Sequence, residues 1–148
     1  MLLVMAVWFS WLVLMGFDAV RFHWSEVPLW VQALGLLSIG VGCFVVFLVF
    51  RANSYASPVV RIQRERGHAV VTTGPYAYVR HPMYAGGLFI FFGAPLLLGS
   101  WWGLAVSAAL SVLVGFRAVL EERTLVNELE GYAAYAGRVR YRLVPYLW

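Results

Sequence analysis

The chain has 148 residues, of which 62% are hydrophobic, 17% aromatic and only 12% charged, with a mean hydropathy of +0.77. An ordinary soluble domain carries roughly 25% charged residues, and so short a chain has too little interior to hide this much apolar surface. A disordered chain, a collagen, a disulfide scaffold and a conventional soluble enzyme are thereby excluded, and an integral membrane protein is expected. The net charge of +4 comes entirely from Arg, because the sequence has no Lys. These Arg residues flank apolar runs, as membrane topology requires, so no nucleic-acid partner is expected. The single Cys43 sits inside an apolar run and reads as a small core residue.

Residues 1–17 form an apolar run at the lower limit for crossing a bilayer core. No Lys or Arg precedes it and no small-residue cleavage site follows it, which sets it apart from a signal peptide. A polar turn is expected from Asp18 to Pro28. The run 29–50 is long enough to span with tilt, and residues 51–82 are polar by comparison. Apolar runs at 84–98 and 101–120 are separated only by Gly99 and Ser100, which predicts a tight helical hairpin. Pro95 with Gly86, Gly87 and Gly93 predicts a short or kinked third helix with room for close helix contact. Beyond Leu120 the chain is charged; Leu125 and Leu129 continue the helical stripe, and Gly131 is the expected stop. The fold class read from this pattern is all-α integral membrane, one domain over 1–148 with four transmembrane helices. Four spans put 51–82 and the chain after 116 on one side, with ten of the eleven Arg; the other side keeps only Arg21. The positive-inside rule then makes both termini and that face cytoplasmic.

Polar residues with chemical potential gather on that face in two clusters. The first runs from His68 to Tyr76 and on through Arg80-His81-Pro82-Met83-Tyr84. Its β-branched run reads as extended and Gly74-Pro75 as a turn. Pro82 suits a first helical position and biases His81 to an extended backbone. A helix N-terminus beside Arg80 and His81 suits an anion, and it equally suits anchoring at lipid headgroups. The second cluster is Arg117, Glu121, Glu122 and Arg123. Arg117 and Glu121 are four apart and share a helix face. An ionisable residue near the hydrocarbon boundary is costly unless paired or functional, and a snorkelling Arg paired with Glu121 meets the same requirement. The tail mixes Tyr132, Tyr135, Arg138 and later Arg with aromatics, an interfacial composition that could close over a pocket. No phosphate-binding loop, dinucleotide fingerprint, C-x-x-C or H-E-x-x-H is present, and no metal site is expected.

The ordered set Gly74-Pro75-Tyr76, Arg80-His81-Pro82-x-Tyr84-x-Gly86, Glu121-Glu122-x-x-Leu125 and Tyr132-x-x-Tyr135-x-x-Arg138 resembles the isoprenylcysteine carboxyl methyltransferase family, over a motif-bearing core of residues 53–148. Phospholipid N-methyltransferases are similar in outline. The resemblance implies methyl transfer from S-adenosylmethionine to a lipophilic acceptor at the membrane surface, in a cytosolic pocket closed by 51–82 and the tail. It implies donor contacts from Gln63, His68, Ala69, Val70, Val71, Tyr76, His81, Pro82, Met83 and Tyr84, with Glu121 on the donor's ammonium. Arg117 would hold the acceptor's carboxylate. The acceptor stays open between an isoprenylcysteine and another isoprenoid or lipid carboxylate or thiol. Phospholipid N-methylation, a nicotinamide-dependent membrane reductase of related architecture and a non-enzymatic membrane adaptor are the alternatives.

Overall fold

A computed structural model describes residues 2–56, 65, 67 and 69–148; Gln63 and His68 lie outside the described residues. The described chain is helical and contains no strand. The elements are α1 (Leu2–Gly16), a π-helical turn (Phe17–Phe22), α2 (Leu29–Ala52), a short 3-10 turn (Gly74–Ala77), α3 (Pro82–Leu98), α4 (Trp101–Glu128) and α5 (Tyr132–Arg138). Among the described residues, α2 with 24 residues and α4 with 28 are long and apolar enough to cross a membrane. Apolar helix α3 is shorter, at 17 residues. By internal contacts the chain forms two compact units, Met1–Gly42 with Leu88–Val112 and Cys43–Gly87 with Leu113–Trp148.

In the first unit the polar turn expected from Asp18 begins later, because the π-helical turn carries α1 on to Phe22 before His23 turns left-handed at φ 50°. Within this turn Asp18 is fully buried. Asp18 Oδ2 accepts from Ser25 Oγ at 2.7 Å and Ser100 Oγ at 2.5 Å, with Trp102 N at 3.4 Å. Ser100 in turn caps α4, its Oγ accepting from Gly103 N at 2.8 Å. The Asp18 carboxylate therefore sits at a helix N-terminus, where negative charge complements the helix dipole. Gly99, linking α3 to α4, has φ +79°, which glycine adopts without strain.

Close helix contact is real at Gly93 and absent at Gly87. A Cβ on Gly93 would meet Gly35 O at 2.7 Å, and one on Gly35 would meet Leu97 N at 2.5 Å, whereas one on Gly87 would meet nothing within 4 Å. Ser38 Oγ bonds Phe89 O at 2.8 Å across the same pair of helices. Between α1 and α4, Trp11 Nε1 donates to Gly103 O at 3.1 Å.

In the second unit α4 ends at Glu128, ahead of the Gly131 expected to stop it. Gly131, at φ +82°, instead starts α5. The core here is Leu129, Tyr132 and Tyr135, packed by Val70, Tyr76, Leu125, Ala136 and Val139. The tail pairs with the residues that lead into α3: Arg80 N donates to Tyr141 O and His81 N to Arg142 O, each at 2.9 Å.

Candidate functional site

A cleft with an empty volume of about 770 Å³, part of it open to solvent, lies within the second unit. Several stretches of chain wall it. Ala69, Val70 and Val71 approach as irregular backbone, and Tyr76 comes from the 3-10 turn. Pro82, Met83 and Tyr84 form the first turn of α3, with His81 immediately before it, and Glu121 reaches in from α4. These are all of the described residues that the family resemblance assigned to donor contact. Arg117 is not in the wall but joins it through Tyr84.

The polar wiring is specific. Tyr84 donates its hydroxyl hydrogen to Glu121 Oε2 at 2.5 Å, and Arg117 Nε donates to the same hydroxyl at 2.8 Å. The shared helix face of Arg117 and Glu121 is thus bridged by a phenol from α3. His81 stacks on Tyr84, with ring centroids 5.7 Å apart. Glu122, the neighbour of Glu121, faces a different group. It is ion-paired with Arg80 through Oε1, and Arg142 Nε donates to its Oε2 at 2.7 Å. His81 Nε2 lies 3.9 Å from that same oxygen.

Burial pushes the His81 imidazole down to about 4; the Glu122 carboxylate opposes this, and the Arg80 and Arg142 guanidiniums reinforce it. At neutral pH His81 is therefore uncharged. The positive character expected of this helix N-terminus comes from Arg80, and His81 contributes a neutral polar edge. Burial also raises the phenols of Tyr76, Tyr132 and Tyr135 above their ordinary value, so all three stay protonated. Tyr76 is held at both ends: Asn53 Nδ2 donates to its hydroxyl at 2.9 Å, and Tyr135 donates to its carbonyl at 2.8 Å.

Sequence reasoning missed part of the wall. Asn53, Tyr55, Leu125, Leu129, Tyr132 and Tyr135 also line the cleft. The signal for the last two was present in the spacing Tyr132-x-x-Tyr135, which places both on one face of α5, but interfacial aromatics share that composition.

A family model described as "Phospholipid methyltransferase" matches residues 30–131. The chain is 33% identical over 136 residues to the protein-S-isoprenylcysteine O-methyltransferase of Homo sapiens, covering 88% of this chain and 46% of that protein. The Schizosaccharomyces pombe protein of the same name is 35% identical over 110 residues, covering 73% of this chain and 46% of that one. Arabidopsis thaliana protein-S-isoprenylcysteine O-methyltransferase B is 28% identical over 130 residues, covering 83% and 61%. The chain spans about half the length of the human and yeast relatives it matches. The family match runs from the start of α2 through Gly131 and takes in all of the cleft's lining except Tyr132 and Tyr135, so the chain belongs to the phospholipid methyltransferase family, with isoprenylcysteine O-methyltransferases among its relatives.

Proposed function

We propose that the chain is a membrane methyltransferase that moves a methyl group from S-adenosylmethionine to the carboxylate of a lipophilic, isoprenylcysteine-like acceptor at the cytoplasmic membrane face. The observation that carries this reading is the Tyr84 hydroxyl, which touches both Glu121 and Arg117. A carboxylate suited to a donor's ammonium and a guanidinium suited to an acceptor's carboxylate share one phenol. The cleft fits the donor on its own chemistry. Glu121 offers an anion for the ammonium, the Tyr76, Val70 and Leu125 side chains offer an apolar wall for an adenine, and buried polar atoms at His81 and Tyr132 lack partners. Bound there, S-adenosylmethionine supplies an electrophilic methyl group.

What the protein does follows from the nucleophile. An acceptor carboxylate is already ionised at neutral pH, so no general base is required. Glu121 and the first turn of α3 fix the donor, Arg117 orients the carboxylate, and the aromatic wall excludes water, so the rate gain comes from positioning in a dry site. The fold proposed around this chemistry is a single four-span membrane domain. Helices α2 and α4 are the long spans and α3 and α1 the shorter ones, with α1 extended by the π-helical turn. The Arg excess then sets the 51–82 segment, the tail and both termini on the cytoplasmic side.

Phospholipid N-methylation is the second reading, favoured by the description of the matching family model. Arg117 argues against it, because a guanidinium beside the acceptor repels a protonated amine and attracts a carboxylate. The test is calorimetric binding of S-adenosylmethionine and S-adenosylhomocysteine to the detergent-solubilised protein, with Glu121→Ala alongside, followed by methylation assays on a prenylcysteine and on phosphatidylethanolamine. Saturable binding lost in Glu121→Ala, and turnover of the carboxylate only, are the expected results. A folded protein that binds neither compound, or that methylates only the amine, would overturn the reading.

A further inference from the structure

Among the described residues, four buried side-chain polar atoms make no hydrogen bond, and three of them belong to residues lining the candidate cleft: Arg80 Nε, His81 Nε2 and Tyr132 Oη. Buried donors without partners are uncommon in folded proteins and ask for an explanation. Tyr132 and His81 are only 4% and 5% exposed, so bulk water does not satisfy them. They come from different elements, His81 from the lead-in to α3 and Tyr132 from the start of α5.

We infer that the Tyr132 hydroxyl and the His81 Nε2–H form a two-donor clasp for the α-carboxylate of the methyl donor, with Arg80 behind them. This rests on the donor reading above and assigns the amino-acid end of that ligand. The chemistry favours an anion in several ways. A protonated phenol donates, and a neutral imidazole in its Nε2–H tautomer donates as well. The nearest carboxylate, Glu122, is occupied by Arg80 and Arg142. The direct His81 to Glu122 separation of 3.9 Å is too long for a hydrogen bond. The ammonium and carboxylate of an amino acid hang from one carbon, so their two receivers must be neighbours. Glu121 meets that condition, since it lines the same cleft and bonds the Tyr84 hydroxyl, on whose ring His81 stacks. The clasp and Glu121 then recognise the two substituents separately, and the zwitterionic end is fixed in orientation as well as held.

The experiment compares S-adenosylmethionine with decarboxylated S-adenosylmethionine, which keeps the amine and the sulfonium, by calorimetry on the full chain in detergent. Each hydrogen bond to a charged group is worth about tenfold or more in affinity. The wild type should therefore prefer the carboxylate-bearing donor by about 10- to 100-fold. Tyr132→Phe should lose about tenfold for that donor and change little for the decarboxylated one. His81→Phe should show the same selective loss. Unliganded thermal unfolding of each variant reports folding separately, and the wild-type preference is read without any variant. A wild type that binds both compounds equally overturns the clasp while leaving the donor reading intact. Equal losses for both compounds in Tyr132→Phe also overturn it, because a purely structural hydroxyl, or one serving a trapped water, has that signature. Binding of neither compound by folded wild type removes the donor reading and the clasp together.

Discussion

Arg142 Nε donates to Glu122 Oε2 at 2.7 Å, and this bond ties the tail to the far turns of α4. The same guanidinium sits 5.2 Å over the Trp148 ring, whose edge lies against Gly115. Glu122 also holds Arg80, so one carboxylate secures the tail and the lead-in to α3 together. Its side chain is 12% exposed and that of Arg80 9%. Glu122→Gln leaves two guanidiniums without their counter-charge, and breaking a buried pair from one side costs about 3–5 kcal/mol. Arg142 is more exposed and solvent screens it, so Arg142→Ala should cost no more than about 1 kcal/mol in charge terms. Thermal unfolding in one detergent should rank Glu122→Gln well below Arg142→Ala. The reverse order would mean that the tail is held chiefly by its aromatic and backbone contacts.

Glu121 and Arg117 should separate functionally although Tyr84 joins them. Glu121→Ala removes donor binding. Arg117→Ala leaves donor binding near wild-type and cuts acceptor turnover by about 100-fold or more, the cost of a misplaced reacting group. Calorimetry for the donor and initial rates for the acceptor read the two effects apart. Equal loss of both in a folded Arg117→Ala protein would contradict the division of roles.

The buried His81 gives stability a definite pH dependence. Its folded value of about 4 lies below the ordinary 6.5, so the unfolded chain takes up the proton first. The contribution is complete above pH 6.5 and is lost as the pH falls from there towards 4. Its size is on the order of 1–3 kcal/mol. His81→Gln should flatten the unfolding temperature over that window relative to wild type. If both proteins lose the same number of degrees, His81 is not the group that titrates.

The α2–α3 contact is tested by adding a single methyl group. Gly35→Ala drives a Cβ into the backbone of α3 and should cost about 1–3 kcal/mol or more. Gly40→Ala on the same helix meets nothing within 4 Å, and it should be neutral or stabilise by up to about 1 kcal/mol through helix propensity. Unfolding temperatures of the two variants, measured side by side, decide whether the pair is as close as described.

The helical class, the start of α3 at Pro82 and the Gly99–Ser100 link could be read from sequence, because apolar runs, proline and glycine act locally. The π-helical turn could not. Asp18 within it bonds Ser100, 82 residues away, a contact that no local pattern signals. The end of α4 falls before the expected Gly131, and α5 follows it unpredicted, for a related reason. Gly131 permits a left-handed backbone, but whether it closes one helix or opens the next depends on how Leu129 and Tyr132 pack. Of two adjacent glutamates the family resemblance named Glu121 for the donor, and Glu121 lines the cleft. The role of Glu122 as partner to Arg80 and Arg142 needed three segments of chain brought together, which no spacing within one helix reveals.

The widened turn at Phe17–Phe22 also fixes how many residues the chain can carry at that point. Asp18 reaches Ser25 and Ser100 from a stretch between α1 and His23 whose hydrogen-bonded loops each enclose one more residue than those of an α-helix. Deleting Ala19 would tighten the coil and swing every later side chain around the axis by about a quarter turn, carrying the Ser25 hydroxyl away from its acceptor. Substitutions at Ala19 or Val20 leave that count unchanged, so this stretch should accept changes of residue type far more readily than changes of length.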